Sequence, residues 1–586
     1  MKFSMKPLLV ATTILAAISS PTFAQDAARK YSPVTDEMLA NPPAKDWLSF
    51  RGGYNNQGFS KLDLVNKKTV GKLQLAWAWP MAEAGIQETA PLVHDGIMFL
   101  QTNNNIVEAL DAKTGDRIWT YRHELAKLPD SWSYQINQAR RQKASIALYQ
   151  DKVVLTTADA KIVVLNAADG KVVWEKQVLD YNKGYSYTVG PVIADNKIIT
   201  AISGCSIAGT AGGCYIMAHD FKTGEELWRF NTINDPDNPK QQASWGDVPP
   251  ENRWGGTPWT TGAYDPQTHT TFWGIGMPGP YSELIRGSGD GSVLYTNSTL
   301  AIDINTGKLK WYYQHLPRDN WDLDSPFERM LVDQEVDGQV KKLVVTVPGK
   351  NGIAFGLDRE TGKYLWHKDT VYQNVVKAID KDGTVHINDD LVSKAVGEEH
   401  LTCPTVSGGK LWQAGAYSPL TKAYYVPLTE ACNTTAPTQT EFTAGNAVGA
   451  LKFGPRVLPE GQTQAGLVEA IAVSPTAGTT KWDYRSRPAP TSSLLTTAGG
   501  LVFGGDAARD IKAWDQETGK VLWSQRLNAP IGGYPSTYEI DGEQYLVVPT
   551  GYSNSASSIS SAFPEIPLPT GSGNSIFVFK LPKVAS

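Results

Sequence analysis

One motif recurs along this chain: an apolar strand end, Asp, a short turn with Thr-Gly, and Trp four residues after the Gly. The sharp copies run from Asp111 to Gly115 and Trp119, Asp220 to Gly224 and Trp228, Asp303 to Gly307 and Trp311, Asp358 to Gly362 and Trp366, and Asp515 to Gly519 and Trp523. Weaker copies end at Trp174 and Trp482. A repeat of roughly 40 to 55 residues, each reading strand, tight turn, strand, is the signature of a propeller in which each copy is about one four-stranded sheet. A radial all-β fold is expected.

The turn accounts for the residue types. Asp bonds its own backbone two residues on, Gly supplies positive φ, and the strand that follows carries Trp inward. An indole at the same place in every sheet suits a wedge between neighbours, because it buries a large area while its N–H still finds a partner. A WD-type propeller is disfavoured by the missing Gly-His and the different Trp position. Two intervals are long, Asp220 to Asp303 and Asp358 to Ser474, leaving room for insertions and for a blade whose repeat has eroded. With an early strand around Leu75-Ala-Trp77 and a final one near Ile576 to Leu581 closing the ring, about eight blades are expected, an eight-bladed β-propeller spanning 25–586 as one domain.

Hydrophobic residues make up 41% and aromatics 10%, a globular composition, and the net charge of -5 leaves no basic footprint for nucleic acid. Lys2 and Lys6 precede an apolar run from Leu8 to Ile18 and then Pro21-Thr-Phe-Ala24, which reads as a signal peptide over 1–24, cut before Gln25. Export to the periplasm is the expectation, with no later stretch long enough to span a bilayer. Four cysteines, Cys205, Cys214, Cys403 and Cys432, allow three pairings; nearest neighbours would join Cys205 to Cys214 and Cys403 to Cys432. No C-x-x-C-H occurs, so no covalent c-type haem is expected.

A propeller assembles its site from single residues widely spaced along the chain. In Asn320-Trp-Asp322-Leu-Asp324, carboxylates two residues apart point to one side of an extended segment and can share a multivalent cation, or one can act as general base; the plain alternative is a solvated turn. Gly255-Gly-Thr257-Pro-Trp259 lets the backbone close in and offers a flat indole to a planar ligand, unless Trp259 is only packing. Pro348-Gly-Lys350 ends a β-forming run from Leu343 to Val347 and puts a Lys at the mouth of a sheet, able to bind an oxyanion; an exposed turn lysine is the alternative.

Together with Asp46-Trp-Leu-Ser-Phe-Arg51, Gln87-Glu88-Thr-Ala-Pro-Leu-Val93 and Tyr534-Pro-Ser-Thr-Tyr538, these segments make the chain resemble the pyrroloquinoline-quinone (PQQ) dependent alcohol dehydrogenases, the methanol and ethanol dehydrogenase family of eight-bladed quinoproteins, over nearly its whole mature length. The resemblance implies that Trp259 stacks on the orthoquinone with Thr257 beside it. It places Glu88, Thr188, Ser203 and Gly204 against the cofactor's carboxylates or ring, Lys350 on the quinone oxygens, Trp412 as a further contact, and Asp322 as the catalytic base.

The departures are specific. The family's vicinal cysteine pair is missing, with Arg140-Arg-Gln-Lys-Ala-Ser145 standing where it would be. Sorbose and polyvinyl alcohol dehydrogenases look closer, sharing the Cys205 and Cys214 pair, which would shape a loop over the cofactor, and the stretch Leu316-Pro-Arg-Asp-Asn-Trp-Asp322. The metal-ligand Glu aligns with Ser206 and the metal-ligand Asn with Met277, leaving Asp322 and Asp324 as metal ligands. An Asp two residues beyond the base is a feature of lanthanide-using relatives, so calcium or a lanthanide, held largely by PQQ itself, is expected. The implied function is a soluble periplasmic quinoprotein dehydrogenase that oxidises an alcohol or polyol hydroxyl and passes electrons to an external cytochrome c or other acceptor. The rival from another class is a non-catalytic propeller scaffold of the cell envelope.

Overall fold

Each of the sharp repeat turns is held by its own aspartate, and the weaker ones by Asn166 and Ser474. Asp111 Oδ1 accepts the N–H of Lys113 at 2.7 Å and of Thr114 at 3.0 Å, and Gly115 takes a φ of +82° to reverse the chain. Asp303 and Asp358 accept the corresponding backbone N–H groups of their own turns. The local chemistry therefore folds each copy into a hairpin before any long-range contact is needed.

The computed structural model describes residues 31–127, 146–208, 213–552 and 563–583. The expected signal peptide and the Arg140 to Ser145 segment lie outside them. Among the described residues, eight sheets of four or five strands follow one another, most of them simple antiparallel meanders. One example is Leu92–His94, Ile97–Thr102, Ile106–Asp111 and Arg117–Arg122. The last sheet joins the chain ends, with Gln74–Pro80 antiparallel to Ser575–Lys580 and then Glu543–Thr550 and Ser536–Ile540. Both long intervals hold a single sheet each plus insertions, and neither contains an eroded blade.

The tryptophans lie on outer, fourth strands and point sideways to the next sheet, rather than inward. Trp119 Nε1 donates to Ala167 O at 3.0 Å, while a Cβ on Gly170 would lie 2.5 Å from the Trp119 ring. Trp77, Trp228, Trp311, Trp366 and Trp482 donate in the same way to Ala112, Ile304, Arg359, Ser474 and Gln516 of the following sheet. Glycine is required at these turns both for its positive φ and because the neighbour's indole fills the space a side chain would need.

A segment with no repeat character ties the sheets together. Between residues 34 and 60 the chain bonds in turn to the innermost strands: Trp47 pairs with Val93, Tyr54 donates to Ile193 O, Asn56 to Gly262 O and Gln57 to Leu331 O. Arg51 crosses to Gly415 O and Leu494 O, and Phe59–Ser60 adds a parallel strand beside Leu495–Thr497. Asp36 accepts the N–H of Asp195 in a turn between first and second strands, so the start of this hub sits at the end of the sheets that carries those turns, while Phe50 and Arg51 reach from it toward the other end.

Candidate functional site

All the singled-out residues emerge at the opposite end. Glu88, Thr188, Thr257, Trp259, Asp322, Asp324 and Trp412 lie on links from one sheet to the next, and Ser203, Gly204 and Lys350 on links from second to third strand. In an antiparallel meander these two kinds of link leave on the same side.

Asp322, Asp324 and Lys350 form one buried cluster. Lys350 Nζ lies 2.6 Å from Asp324 Oδ2, 3.2 Å from Asp322 Oδ1 and 2.9 Å from Asp322 O, which engages all three donors of the ammonium. Asp324 Oδ1 faces the other way, accepting the N–H of Met277 at 3.0 Å and Trp259 Nε1 at 3.4 Å. The two carboxylates converge, but strand alternation is not the cause. Asp322 has a φ of +62° and the segment is not extended, so the turn at Asp322, rather than the two-residue spacing, aims both groups at one point. Lys350 is 5% exposed, which removes the exposed-turn alternative.

Burial raises the Asp322 carboxyl well above the usual carboxylate range, with Lys350 opposing only in part. Burial would raise Asp324 too, yet the Lys350 ammonium and the N–H groups of Met277 and Trp259 hold it below that range. Two nearby carboxyls with opposed proton affinities are what general acid–base chemistry beside a fixed anion requires. Asp319, fully buried behind them, is pushed up to about 6 by burial, against the N–H groups of Trp321 and Leu323.

The apolar floor comes from several sheets. Phe50, Ala90, Phe327, Trp412, Ala414 and Tyr534 pack as one cluster with Trp259 and Leu411 against it. Trp259 is the partly exposed indole, set edge-on to Phe327 at 5.2 Å. Trp412 packs with Tyr534 at 5.5 Å.

The polar side is equally assembled. Thr188 and Ser203 hydroxyls are 2.7 Å apart, and Ser186 and Ser203 exchange backbone hydrogen bonds. At Gly204, with a φ of +95°, a Cβ would collide with Gly184 O. Thr257 places its hydroxyl 3.5 Å from Cys214 Sγ. Both expected disulfides, Cys205–Cys214 and Cys403–Cys432, are present. The first loop is covered from above: Ile207 bridges Ala447, Val448 donates to Ser206 O, and Phe442 packs 5.1 Å from Trp254.

Residues that sequence reasoning missed also face this region. Gln101, through both side-chain polar atoms, Asn105 Nδ2 and Ser186 Oγ are buried with no hydrogen-bond partner among the described residues. Gln101 O accepts the Thr89 hydroxyl beside Glu88, and Asn105 Oδ1 accepts Ala158 N. Buried orphan donors and acceptors are costly, so a polar ligand with carboxylates fits here. Beneath the floor, Lys410 is paired with Glu328 at 2.5 Å, a contact no spacing in the sequence announced.

The donor set for an ion is short. No group of three or more His, Cys, Asp or Glu side chains able to hold a metal occurs among the described residues. Asp322 and Asp324 nevertheless supply two hard oxygens around one point already marked by the Lys350 ammonium. They fit a hard cation that takes its remaining ligands from a chelating cofactor. Met277 turns its backbone to the site, donating its N–H to Asp324 while its carbonyl accepts the N–H of Gly256 at 2.9 Å.

Comparison with known proteins finds relatives along nearly the whole chain. The family model for the glucose/ethanol/alcohol dehydrogenase β-propeller domain, a PQQ family, matches residues 47–376 and 462–546. A quinoprotein ethanol dehydrogenase of Pseudomonas putida is 32% identical over 99% of this chain and 97% of its own length. A quinohemoprotein alcohol dehydrogenase of Comamonas testosteroni is 30% identical over 92% of this chain and 77% of its own. Among solved structures, a europium-containing methanol dehydrogenase superposes with a TM-score of 0.84 at 26% identity, over 93% of this chain and all of that one.

Proposed function

The chain belongs to the PQQ-dependent β-propeller family of glucose, ethanol and alcohol dehydrogenases, and from that premise we propose that it oxidises an alcohol or polyol hydroxyl to a carbonyl with Asp322 as the base. The observation that carries this reading is the buried Asp322, Lys350 and Asp324 cluster hydrogen-bonded to Trp259. Bound PQQ supplies the two-electron acceptor, and a calcium or lanthanide ion beside it supplies Lewis-acid polarisation of the quinone carbonyl.

The remaining roles belong to the chain. Trp259 offers the flat face on which the cofactor lies, with Thr257 beside it and Trp412 behind. Glu88, Thr188, Ser203 and Gly204 line the polar side. Asp322 and Asp324 would hold the ion, and Lys350, the ammonium beside both carboxylates, would donate to the quinone oxygens. Asp322, whose carboxyl is raised by burial, takes the hydroxyl proton of the alcohol.

We place the protein in the periplasm, on the strength of the leader-like segment at its N-terminus. No helix among the described residues is long and apolar enough to cross a membrane. An external cytochrome c or another one-electron acceptor would reoxidise the quinol. The test is reconstitution of the apoprotein with PQQ and calcium or a lanthanide, followed by dye reduction across a panel of alcohols. Cofactor-dependent reduction supports the reading; a protein that binds no PQQ ends it.

A further inference from the structure

Beneath the apolar floor lies a layer of buried charge that the site as described does not use. Arg51, Arg329, Lys410 and Glu328 are each at most 2% exposed. Glu328 is the one carboxylate in this layer, with Oε2 on Lys410 Nζ at 2.5 Å and Oε1 accepting Gly415 N at 2.9 Å and the Tyr424 hydroxyl at 3.0 Å. The two guanidiniums bond only to neutral acceptors. Arg329 reaches Thr299 Oγ1 at 2.9 Å, Ser325 O, Ser298 O and Phe327 O. Arg51 reaches Gly415 O and Leu494 O, and its Nε and Nη1 have no partner among the described residues.

Three cations thus accompany one anion in a place where solvent cannot screen them. Burying unpaired positive charge is strongly unfavourable unless an anion lies within reach. The layer touches the floor directly. Lys410 Nζ sits 4.7 Å from the centre of the Phe327 ring, which packs on Trp259, and Arg51 lies over Tyr534 at 5.8 Å, which packs on Trp412. Above the floor the described charges are mainly acidic, Glu88, Asp322 and Asp324 against Lys350.

We propose that the layer of Arg51, Arg329, Lys410 and Glu328 is a fixed counter-charge that favours the reduced, more electron-rich form of the quinone lying on Trp259, and so sets its potential. The inference rests on the proposed function. These are positioning residues in the electrostatic sense, acting through the floor without touching the reacting atoms. Reduction to the quinol takes up two electrons and two protons, and to the extent that the reduced oxygens keep less than both protons the ring gains negative charge, which a buried cation stabilises and a buried anion opposes.

The test is the midpoint potential of PQQ bound to the reconstituted protein, read from its absorbance during a redox titration. Lys410→Met should lower it and Glu328→Gln should raise it. Each is expected to change the reduced-to-oxidised ratio at fixed poise about tenfold, roughly 30 mV for a two-electron couple. Damage to packing has no reason to move the two variants in opposite directions. Glu328→Gln keeps an oxygen for Gly415 N–H, so it carries the test where Lys410→Met does not fold. Bound PQQ whose potential is unmoved in Glu328→Gln, or moved downward, overturns the inference while leaving the dehydrogenase reading intact. Failure of the unmodified protein to bind PQQ defeats that reading instead.

Discussion

Trp259 Nε1 points at Asp324 Oδ1 across 3.4 Å, so the indole proposed to carry the cofactor is tethered by the carboxylate proposed to hold the ion. The tether fixes the ring plane without using its faces. Trp259→Ala should weaken PQQ binding by about 1 to 3 kcal/mol, the scale of aromatic stacking and lost burial. Trp259→Phe should recover part of that loss, since it keeps a face and drops the tether. Titration of PQQ into apoprotein measures both, and unchanged affinity in the Ala variant would mean that Trp259 is merely packing.

The Cys205–Cys214 bridge closes a loop with a sequence separation of 9 and holds Cys214 against Thr257. Closing so short a loop contributes about 2 to 3 kcal/mol on the chain-entropy scale. Replacing both cysteines with serine should lower stability by that order and loosen the cover formed by Phe442 and Val448. Denaturant midpoints and non-reduced peptide mapping check it. A mapped link from Cys205 to Cys403 would show the pairing to be wrong.

The ring itself makes a sharper demand at its turn glycines. Gly170→Ala places a Cβ about where the Trp119 ring already sits and forces alanine to a φ of +71°. It should destabilise by more than 1 kcal/mol, the usual cost of strained backbone. Trp119→Ala, which empties the wedge, should cost about 3 to 5 kcal/mol. Thermal unfolding that leaves both variants like the parent would sink the docking account.

Stability should also fall in mild acid, partly through His219. Burial lowers this imidazole to about 4, with Lys176 and Arg229 adding to the effect and Glu226 opposing it. The unfolded chain binds the proton near 6.5 and the native chain does not until about 4. The contribution is therefore complete above 6.5 and is lost as pH falls toward 4, by roughly 3 kcal/mol. His219→Leu should flatten the slope of unfolding free energy against pH over that window. An unchanged slope would assign the acid sensitivity elsewhere.

What could be read from sequence follows the range of the interactions. The Asp-to-Trp repeat was legible because Asp111, Thr114 and Gly115 make their turn among themselves. The hub was not, because Arg51 to Leu494 spans 443 residues and nothing periodic marks residues 34–60. At the site, local sequence singled out Asp322, Asp324 and Lys350, which the structure brings together, yet spacing gave the wrong cause for their convergence, which lies in the left-handed turn at Asp322. Gln101, Asn105 and the Lys410–Glu328 pair escaped because their meaning lies in burial and missing partners, properties with no local signature.

The two carboxylates should fail differently when removed. Asp322→Asn keeps the shape and a bond to Lys350 but removes the proton acceptor. Turnover should fall by about a hundred- to ten-thousandfold while the absorbance of bound PQQ persists. Asp324→Ala leaves the base but takes away the stronger of the two partners of Lys350, at 2.6 Å against 3.2 Å, along with the acceptor for Met277 N and Trp259 Nε1. Its phenotype should be one of ion binding: activity partly restored at high ion concentration, with the preference between calcium and a lanthanide moved toward calcium, because losing an anionic oxygen weakens a trivalent ion most. Ion affinity measured on the PQQ-loaded variant separates this from lost base chemistry. Near-native turnover in Asp322→Asn would remove Asp322 from the mechanism. Unchanged ion preference in Asp324→Ala would leave that carboxylate as a structural partner of Lys350, and the ion would then be held by Asp322 and the cofactor alone.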